Sequence, residues 1–465
     1  MMNEARRVDL AIRGGTVATA SSLYQADVGI VSGQIARIGG GFSAAEEIDA
    51  TGKLVLPGGI DAHVHLTPAT LPDGGELRWA DDFESGTRAA AAGGITTVGN
   101  ITFPRPREGL LDLVGRTEKE AGSQALVDFF LHPVLLDPSK NVLAELPALA
   151  RSGQTSVKIF MVLGTFDGRS SEYLNAMRIA GECGMLSVVH CEDGCIIGHL
   201  TERLVSSGRT GPEHYSASRP VFSEEVAVTR AVGFAEASGA PVYVVHLSSA
   251  AGLEACRRAR ARGVPIYVET RPLYLYLTED RLLEPEGAKY VGQPPLRGEA
   301  DVTALWNGLW SADVQTFCTD HAPWMLGEKL DPAHTVETFP PGVADLDTLL
   351  PMLFSEGVGK GRISLHRFVE VTSTNAARLF GLFPRKGTIA VGSDADITIW
   401  DPDETRAVEA RNTQTNSDFT PYEGWKVTGW PTVTISRGEV VYRDGQIVGR
   451  PGRGTLARRG QTQML

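Results

Sequence analysis

The sequence predicts an α/β fold, a (β/α)8 TIM-like barrel with a smaller β-sandwich domain formed by both termini. Near the N-terminus, short apolar runs alternate with Gly-containing turns, as in VDLAIRGGTVAT, and KGTIAVGSDADITIWD repeats this style near the C-terminus. Such runs are typical of antiparallel strands. Between them, eight short apolar runs alternate with segments of helical period, which is typical of parallel βα units.

The predicted barrel strands occupy the middle of the chain in order. They are KLVLPGGID (53–61), ITTVGNI (95–101), LVDFFLHPVL (126–135), SVKIFM (156–161), LSVVH (186–190), VYVVH (242–246), VPIYVET (264–270) and VQTFCTD (314–320). Helix candidates such as SEYLNAMRIAGECG and AAGLEACRRARARG separate most of them. We therefore predict a discontinuous sandwich over 1–57 plus 387–450, a barrel over 58–386 and an exposed C-terminal tail over 451–465.

Composition narrows the class of protein. The 465 residues carry a formal net charge of -12 and form no basic stripe, which argues against nucleic acid and against an anionic membrane as partners. No run approaches the ~18 consecutive apolar residues of a membrane span, and the N-terminus lacks a signal-peptide pattern. Five cysteines, few and odd in number, suggest reduced thiols and a cytoplasmic protein.

Polar residues of one chemical kind end several predicted strands. Strand one ends in IDAHVHL, and period-two alternation sends His63 and His65 to the same side. Strands five, six and eight end in His190, His246 and Asp320. Because barrel enzymes place catalytic groups at the carboxyl ends of their strands, all five should converge at one mouth. One strand-end histidine is commonly just a packed residue, but five converging residues predict a metal centre.

The number of these ligands predicts two metal ions. A single catalytic Zn²⁺ takes three protein ligands and keeps an open position, and two cations about 3.5 to 4 Å apart need an anionic bridge. Lys158 in the apolar run SVKIFMVLG could supply that bridge. Burial lowers the pKa of a lysine, and the neutral amine reacts with CO₂ to give a carbamate, N6-carboxylysine. A mononuclear deaminase site is disfavoured, because a single metal ion would not need Lys158 as a bridging ligand.

Five segments, in this order, resemble the metal-site motifs of the cyclic amidohydrolases. They are PGGIDAHVHL, SVKIFM, VVHCEDG, VVHLSS and CTDHAPW. The family includes hydantoinase, dihydropyrimidinase, allantoinase and, more distantly, dihydroorotase. STNAARLFGL and KGTIAVGSDADITIWD are similar to the family outside the site, so the resemblance covers roughly residues 8–448.

The resemblance implies a role for each ligand. His63 and His65 would hold one ion with Asp320, His190 and His246 would hold the second, and carboxylated Lys158 would bridge them. A bridging hydroxide would attack a ring carbonyl, and Asp320, as the catalytic residue, would pass a proton to the leaving ring nitrogen. The ions implied are two Zn²⁺, with Mn²⁺ or Co²⁺ as alternatives. A homotetramer or dimer is implied as well, and no organic cofactor.

The predicted substrate contacts depart from the family pattern. Hydantoinases and dihydropyrimidinases resemble KxFMAY at strand four, where the Tyr donates to the developing oxyanion, but this chain has Leu163 there. Gln293 stands in QPPLR where the family has Ser, and Thr338 stands where an Asn is expected. We predict that these three positions contact a small cyclic amide.

Two alternatives to a hydantoinase-type hydrolase remain. An allantoinase is favoured by Leu163, since allantoinases also lack the Tyr. The other is a non-catalytic dihydropyrimidinase-like scaffold, against which the intact set of six ligands argues.

Other polar residues near these motifs receive plainer interpretations. We expect His132 to be packed in the core and His321 to orient the Asp320 carboxylate. Glu224 and Glu225 begin a predicted helix, where carboxylates suit the helix dipole.

Overall fold

The computed structural model of the protein describes residues 7–70 and 75–465. The strands are β1 (Arg7–Arg13), β2 (Thr16–Ala18), β3 (Leu23–Gln25), β4 (Val28–Val31), β5 (Gln34–Ile38), β6 (Ser43–Asp49), β7 (Leu54–Pro57), β8 (Gly59–Val64), β9 (Ala69–Thr70), β10 (Glu76–Leu77), β11 (Ile95–Thr102), β12 (Asp128–Pro133), β13 (Ser156–Phe160), β14 (Leu186–His190), β15 (Val242–Val244), β16 (Ile266–Thr270), β17 (Thr316–Phe317), β18 (Ile397–Ala407), β19 (Lys426–Ser436), β20 (Glu439–Arg443) and β21 (Gln446–Ile447). The α-helices are α1 (Phe83–Ala92), α2 (Leu110–Gln124), α3 (Lys140–Leu143), α4 (Leu146–Arg151), α5 (Gly164–Gly168), α6 (Ser170–Glu182), α7 (Gly194–Ser206), α8 (Tyr215–Ser218), α9 (Val221–Ser238), α10 (Ala250–Ala261), α11 (Pro272–Tyr276), α12 (Glu299–Trp310), α13 (Leu326–Lys329), α14 (Leu349–Leu353), α15 (Leu365–Val369) and α16 (Asn375–Leu379).

Strands from both ends of the chain build the sandwich. One sheet has the order β5-β4-β1-β6, and the other has the order β21-β20-β19-β18-β7-β2-β3. Antiparallel pairing of β7 with β18, with Leu56 opposite Thr398, joins the two parts of the chain. Ile12, Val55 and Ile397 are buried in one apolar cluster shared by both sheets. The prediction of a sandwich domain formed by both termini is confirmed.

Eight parallel strands form the barrel in chain order. They belong to a three-stranded sheet, β12-β11-β8, and a five-stranded sheet, β13-β14-β15-β16-β17. Isolated parallel pairs, Val134 with Lys158 and Val64 with His321, join these two sheets at both seams. The predicted (β/α)8 class is therefore confirmed, and the carboxyl ends of all eight strands lie at one mouth.

The predicted first barrel strand, 53–61, proves to be two strands. β7 belongs to the sandwich and β8 to the barrel, with Gly58 between them. A Cβ at Gly58 would lie 2.3 Å from Thr96 Oγ1 on β11. The chain therefore passes from one domain to the other at a position where only glycine fits.

The C-terminal segment, which we expected to be an exposed tail, is exposed only in part. Thr455 O accepts a hydrogen bond from Phe129 N at 3.1 Å, and Ala457 N donates to Phe129 O at 2.7 Å. Arg459 is buried and donates to Ser156 Oγ, the first residue of β13, at 2.9 Å. The segment thus covers the amino ends of the barrel strands, because the guanidinium and backbone find hydrogen-bond partners there that the sequence pattern does not reveal.

Cysteines and helices add two further findings. The five cysteines are all free, and Cys191, Cys256 and Cys318 are buried. Within the described ranges 7–70 and 75–465, no helix has both the length and the apolar character required to span a bilayer.

Candidate metal centre and active site

A first group of donors lies where β8 and β17 end. His63 Nε2 and His65 Nε2 lie 3.2 and 3.1 Å from the same oxygen, Asp320 Oδ1. The ligand atoms of the three residues lie within 4.8 Å of one another, and all three side chains are buried. The structure thus brings together three of the residues that the sequence predicts as ligands, and they could hold a metal ion.

A second group lies at the ends of β14 and β15. His190 Nδ1 and His246 Nε2 are 2.9 Å apart, so one ring nitrogen of each histidine faces the other. The His63 and His246 ring centroids are 5.4 Å apart, which makes the two groups neighbours. Burial lowers the pKa of His190 and lowers that of His246 well below its usual value. Both imidazoles are therefore neutral near pH 7, the form that binds a metal.

Lys158 lies on β13 with its amine sealed from solvent. Its side chain is fully buried, and Nζ has no hydrogen-bond partner among the described residues. Burial lowers the pKa of Lys158 to about 8, although Asp320 and Glu269 work in the opposite direction. The charge of Lys158 in turn contributes to lowering the pKa of His65 in the first group and of His190 in the second. The amine therefore lies close enough to both groups to act on each of them.

Two unpartnered buried atoms fit the binding of metal at this site. His63 Nε2 and Lys158 Nζ are among the buried polar atoms that lack a hydrogen-bond partner in the described part of the chain. Leaving such atoms unpaired costs about 1 to 3 kcal/mol each, and metal ions together with a carbamate on Lys158 would remove much of this cost. The imidazoles of His63 and His65 and the carboxylate of Asp320 are also donor types that Zn²⁺ binds.

Two carboxylates that the sequence interpretation missed contact the ring nitrogens of His63 and His190 that point away from the proposed metal positions. Glu269 Oε1 lies 2.8 Å from His63 Nδ1 and accepts from His246 N at 2.9 Å. Glu192 Oε2 lies 2.8 Å from His190 Nε2. Carboxylates in this position fix the tautomer and orientation of a metal-binding imidazole. In strand seven, VPIYVETR, the criterion used for the other strand ends would have found Glu269.

The same strand end carries a second missed residue, Arg271. Its guanidinium is fully buried and pairs with Asp320 Oδ2. Burial raises the pKa of Asp320, but the positive charge of Arg271 outweighs this and brings the pKa well below its usual range. Asp320 is therefore ionised, with one oxygen facing His63 and His65 and the other facing Arg271.

Asp61 ties the two strand ends of the first group to each other. Its Oδ1 accepts from His63 N at 3.0 Å, and its Oδ2 accepts from Thr319 N at 3.1 Å. The backbone is also strained here, since His246 and Asp320 have φ of 38° and 51°. Left-handed conformations in non-glycine residues concentrate at functional sites.

The three predicted substrate contacts differ in their surroundings. Leu163 is half-buried at the start of α5 and presents an apolar side chain. Gln293 is half-buried and donates from Nε2 to Tyr215 Oη at 3.1 Å. Thr338 is exposed, and its Oγ1 accepts from Thr335 N at 3.0 Å within its own turn. All three remain predictions, and the turn of Thr338 gives no support to its assignment.

Three plainer interpretations can be compared with the structure. His132 is packed as expected, with Nδ1 2.8 Å from Ser156 Oγ. His321 does not orient Asp320, because its Nε2 pairs with Asp81 Oδ2 at 2.8 Å. Glu224 lies in the first turn of α9, as expected, but it is also buried and accepts from Ser248 N at 2.9 Å. Neither partner lies close in sequence, so neither contact was predictable from local pattern.

Comparisons with known proteins agree with this geometry. Residues 54–441 match the profile of the amidohydrolase family. The chain is 41% identical to a D-hydantoinase of Geobacillus stearothermophilus over 457 residues, which cover 97% of this chain and 96% of that protein. The solved structure of a dihydropyrimidinase from Brevibacillus agri is 38% identical with a TM-score of 0.93, covering 98% of this chain and 99% of that one. An L-hydantoinase (dihydropyrimidinase) from Arthrobacter aurescens is 32% identical with a TM-score of 0.90, covering 97% and 100%. The chain therefore belongs to the amidohydrolase family, among its cyclic amidohydrolases.

Proposed function

We propose that this protein is a metal-dependent hydrolase that opens the amide C–N bond of a hydantoin, a dihydropyrimidine or a related cyclic ureide or imide. The observation that carries the proposal is the convergence of two donor groups beside the buried amine of Lys158. Its relatives are named D-hydantoinase, dihydropyrimidinase and L-hydantoinase, so the substrate class follows from them, and the chemistry follows from the site.

The metal content forms part of this proposal. His63, His65 and Asp320 would hold one divalent ion and His190 with His246 the other, bridged by Lys158 as N6-carboxylysine. Zn²⁺ is proposed first, with Mn²⁺ or Co²⁺ as alternatives. When bound, such ions acidify water and polarise a carbonyl, so that hydrolysis proceeds at neutral pH.

The chain's own residues supply proton transfer and orientation. Asp320 is ionised, and its carboxylate can accept the proton that the attacking water gives up. The same carboxyl can then deliver the proton to the ring nitrogen that leaves when the C–N bond breaks. Glu269 and Glu192 keep the imidazoles turned toward the centre throughout.

The side chain at position 163 affects which substrate the protein can take, because Leu163 cannot donate a hydrogen bond to an oxyanion as a Tyr at this position would. A lost donor to an oxyanion typically costs about 10² to 10³ in rate unless another group replaces it. Allantoin therefore remains a second candidate substrate, since the pattern at Leu163 is shared with allantoinases. A non-catalytic scaffold is disfavoured because the donor set is intact.

A substrate panel tests the proposal. Purified protein loaded with Zn²⁺, Mn²⁺ or Co²⁺ is assayed for ring opening of hydantoin, 5-substituted hydantoins, dihydrouracil, allantoin, dihydroorotate and succinimide, with chiral analysis of the products. We expect the fastest turnover with hydantoins or dihydrouracil and none with Asp320→Asn. Absence of ring opening with every ring and every metal would refute the proposal, whereas turnover of allantoin alone would establish the alternative.

The proposal extends to assembly and location. A homotetramer or dimer follows from the family resemblance, and analytical ultracentrifugation would decide between them. A cytoplasmic location follows from the free cysteines and would be checked by fractionation.

A further inference from the structure

Lys329, at the end of α13, has a buried amine that forms no ion pair within residues 7–70 and 75–465. Its side chain is fully buried, and Nζ donates to Val291 O at 2.8 Å, Pro340 O at 2.8 Å and Gly342 O at 2.9 Å. Three acceptors use all three N–H groups of an ammonium, one more than a neutral amine offers. Burial, together with the positive charge of Arg271, acts against this charge and brings the pKa of Lys329 well below its usual value. The carbonyl dipoles are the compensation that the structure provides.

The three carbonyls belong to two segments, which we call segment A (residues 291–293) and segment B (residues 338–342). Val291 O in segment A also accepts from Gly342 N in segment B at 3.0 Å. The two segments contain Gln293 and Thr338, two of the predicted substrate contacts. Lys329 therefore holds together the two parts of the chain in which ring contacts are predicted.

Both segments are built against the surroundings of Asp320. Gly342 has a φ of 113°, and a Cβ there would lie 2.5 Å from Ala322 O, two residues after Asp320. A Cβ on Gly292 would lie 2.3 Å from Arg271 Nη2, in the guanidinium that pairs with Asp320. Two buried basic side chains, Arg271 and Lys329, thus pack against segments A and B beside Asp320.

We propose that Lys329 is a positioning residue for ring recognition, whose ammonium holds segments A and B together beside Asp320 and places positive charge behind the backbone that meets a ring carbonyl. The proposal rests on the proposed function for the identity of the ring. The ligand chemistry it favours is a cyclic imide or ureide whose carbonyl oxygen gains negative charge, because preorganised charge acts most strongly where charge develops. Lys329 does not touch the ring, and it acts through the carbonyls that it orients.

The test uses the metal-loaded full chain with Lys329→Met and Lys329→Gln, of which the second retains hydrogen-bond donors without charge. Lys289→Met is the matched control, since Lys289 lies two positions before segment A and pairs with Glu286 at 3.1 Å near the surface. We expect kcat/KM for hydantoin and dihydrouracil to fall at least about tenfold in Lys329→Met, with unchanged metal content. KM should rise because the ring is held less well, and kcat should fall because the charge that develops on the ring carbonyl is less stabilised. Lys329→Gln should recover part of the loss, and Lys289→Met should match the wild type.

Hydrogen exchange without any ring compound separates this proposal from the proposed function. We expect faster exchange in Lys329→Met confined to segments A and B, with sandwich peptides unchanged. If the wild type opens no ring but this local change appears, the proposed function fails and the bracing role stands. Wild-type KM and kcat in Lys329→Met, or exchange that rises throughout the chain, would overturn the proposal. Should Lys329→Met be insoluble, Lys329→Gln decides by the same two measurements, and insolubility of both would assign Lys329 to folding instead.

Discussion

The Arg271 guanidinium and the Asp320 carboxylate form a buried ion pair, and the two carboxylate oxygens have different partners. Oδ2 receives Arg271, and Oδ1 lies 3.2 Å from His63 Nε2 and 3.1 Å from His65 Nε2. Asp320 can thus present only one oxygen to a metal. Arg271 sets the orientation of the carboxylate without occupying the oxygen that faces the histidines.

Replacing Arg271 with Met should be strongly destabilising. Removing one partner of a buried ion pair leaves an uncompensated charge, so we expect the free energy of unfolding to fall by about 3 to 5 kcal/mol. Urea unfolding measures this change, and Arg257→Met, which removes an exposed pair with Glu254, is the control. A loss below about 1 kcal/mol would show that Asp320 finds another partner.

Removing the amine of Lys158 should abolish activity and allow chemical rescue. In Lys158→Ala the proposed carbamate is lost, so we expect less than one metal ion per chain and ring opening near background. Short carboxylic acids such as acetate or propionate should restore part of both, because they can bridge two cations in its place. Elemental analysis and a ring-opening assay follow the rescue. Full activity in a metal-free preparation of the wild type would contradict the mechanism.

Changing Glu269 to Gln should weaken metal binding while leaving the fold intact. The amide keeps the size of the side chain, but it loses the charge that orients His63 and holds its tautomer. Loss of such a partner typically costs about 10 to 100-fold in metal affinity. Competition with a chelator gives the dissociation constant, with Glu299→Gln on the surface of α12 as the control. Equal affinities in the two variants would remove Glu269 from the metal centre.

Asp347 should make stability depend on pH. Burial raises the pKa of Asp347 to about 7, only partly offset by the Gln414 N–H. The folded state therefore binds the carboxyl proton of Asp347 more tightly than the unfolded state does. The stability that this proton contributes is fully present below about pH 4 and is lost as the pH rises to 7. Three pKa units correspond to about 4 kcal/mol.

An Asp347→Asn variant isolates that contribution. The difference in free energy of unfolding between the variant and the wild type should shift in favour of the variant as the pH rises from 4 to 7. Above pH 7 the difference should stay constant. Urea unfolding at several pH values measures the difference, with the exposed Asp403→Asn as control. A difference that does not change with pH would show that Asp347 is ionised throughout.

Strand-end residues were the most predictable part of the structure. The period-two pattern of IDAHVHL, SVVH and YVVH specifies which side chains face the mouth once eight βα units are recognised, so the positions of His63, His190 and His246 follow from sequence. The recognised family and the fold class are confirmed by the comparisons and the architecture. The metal ligation itself stays a prediction.

Contacts between distant segments were the least predictable part. Glu224 meets Ser248 and Lys329 meets Val291 across loops whose paths no local pattern encodes. The burial of Arg459 was missed for the same reason, since the sequence RPGRGTLARRG is polar enough to suggest solvent exposure throughout. Arg459 is buried there because it donates to Ser156 Oγ and to Leu131 O, both at 2.9 Å.

The pairing of β7 with β18 has a consequence for how the protein is made. Lys53 and Asp401, which form an ion pair beside these strands, are 348 positions apart, so the sandwich cannot close until the whole barrel sequence has left the ribosome. During that interval β7 presents an unpaired edge, the kind of surface that recruits strands from other chains. Contacts at such separation also slow folding. We expect the yield of native protein to rise when synthesis is slowed at low temperature, because a half-built sheet then meets fewer copies of itself.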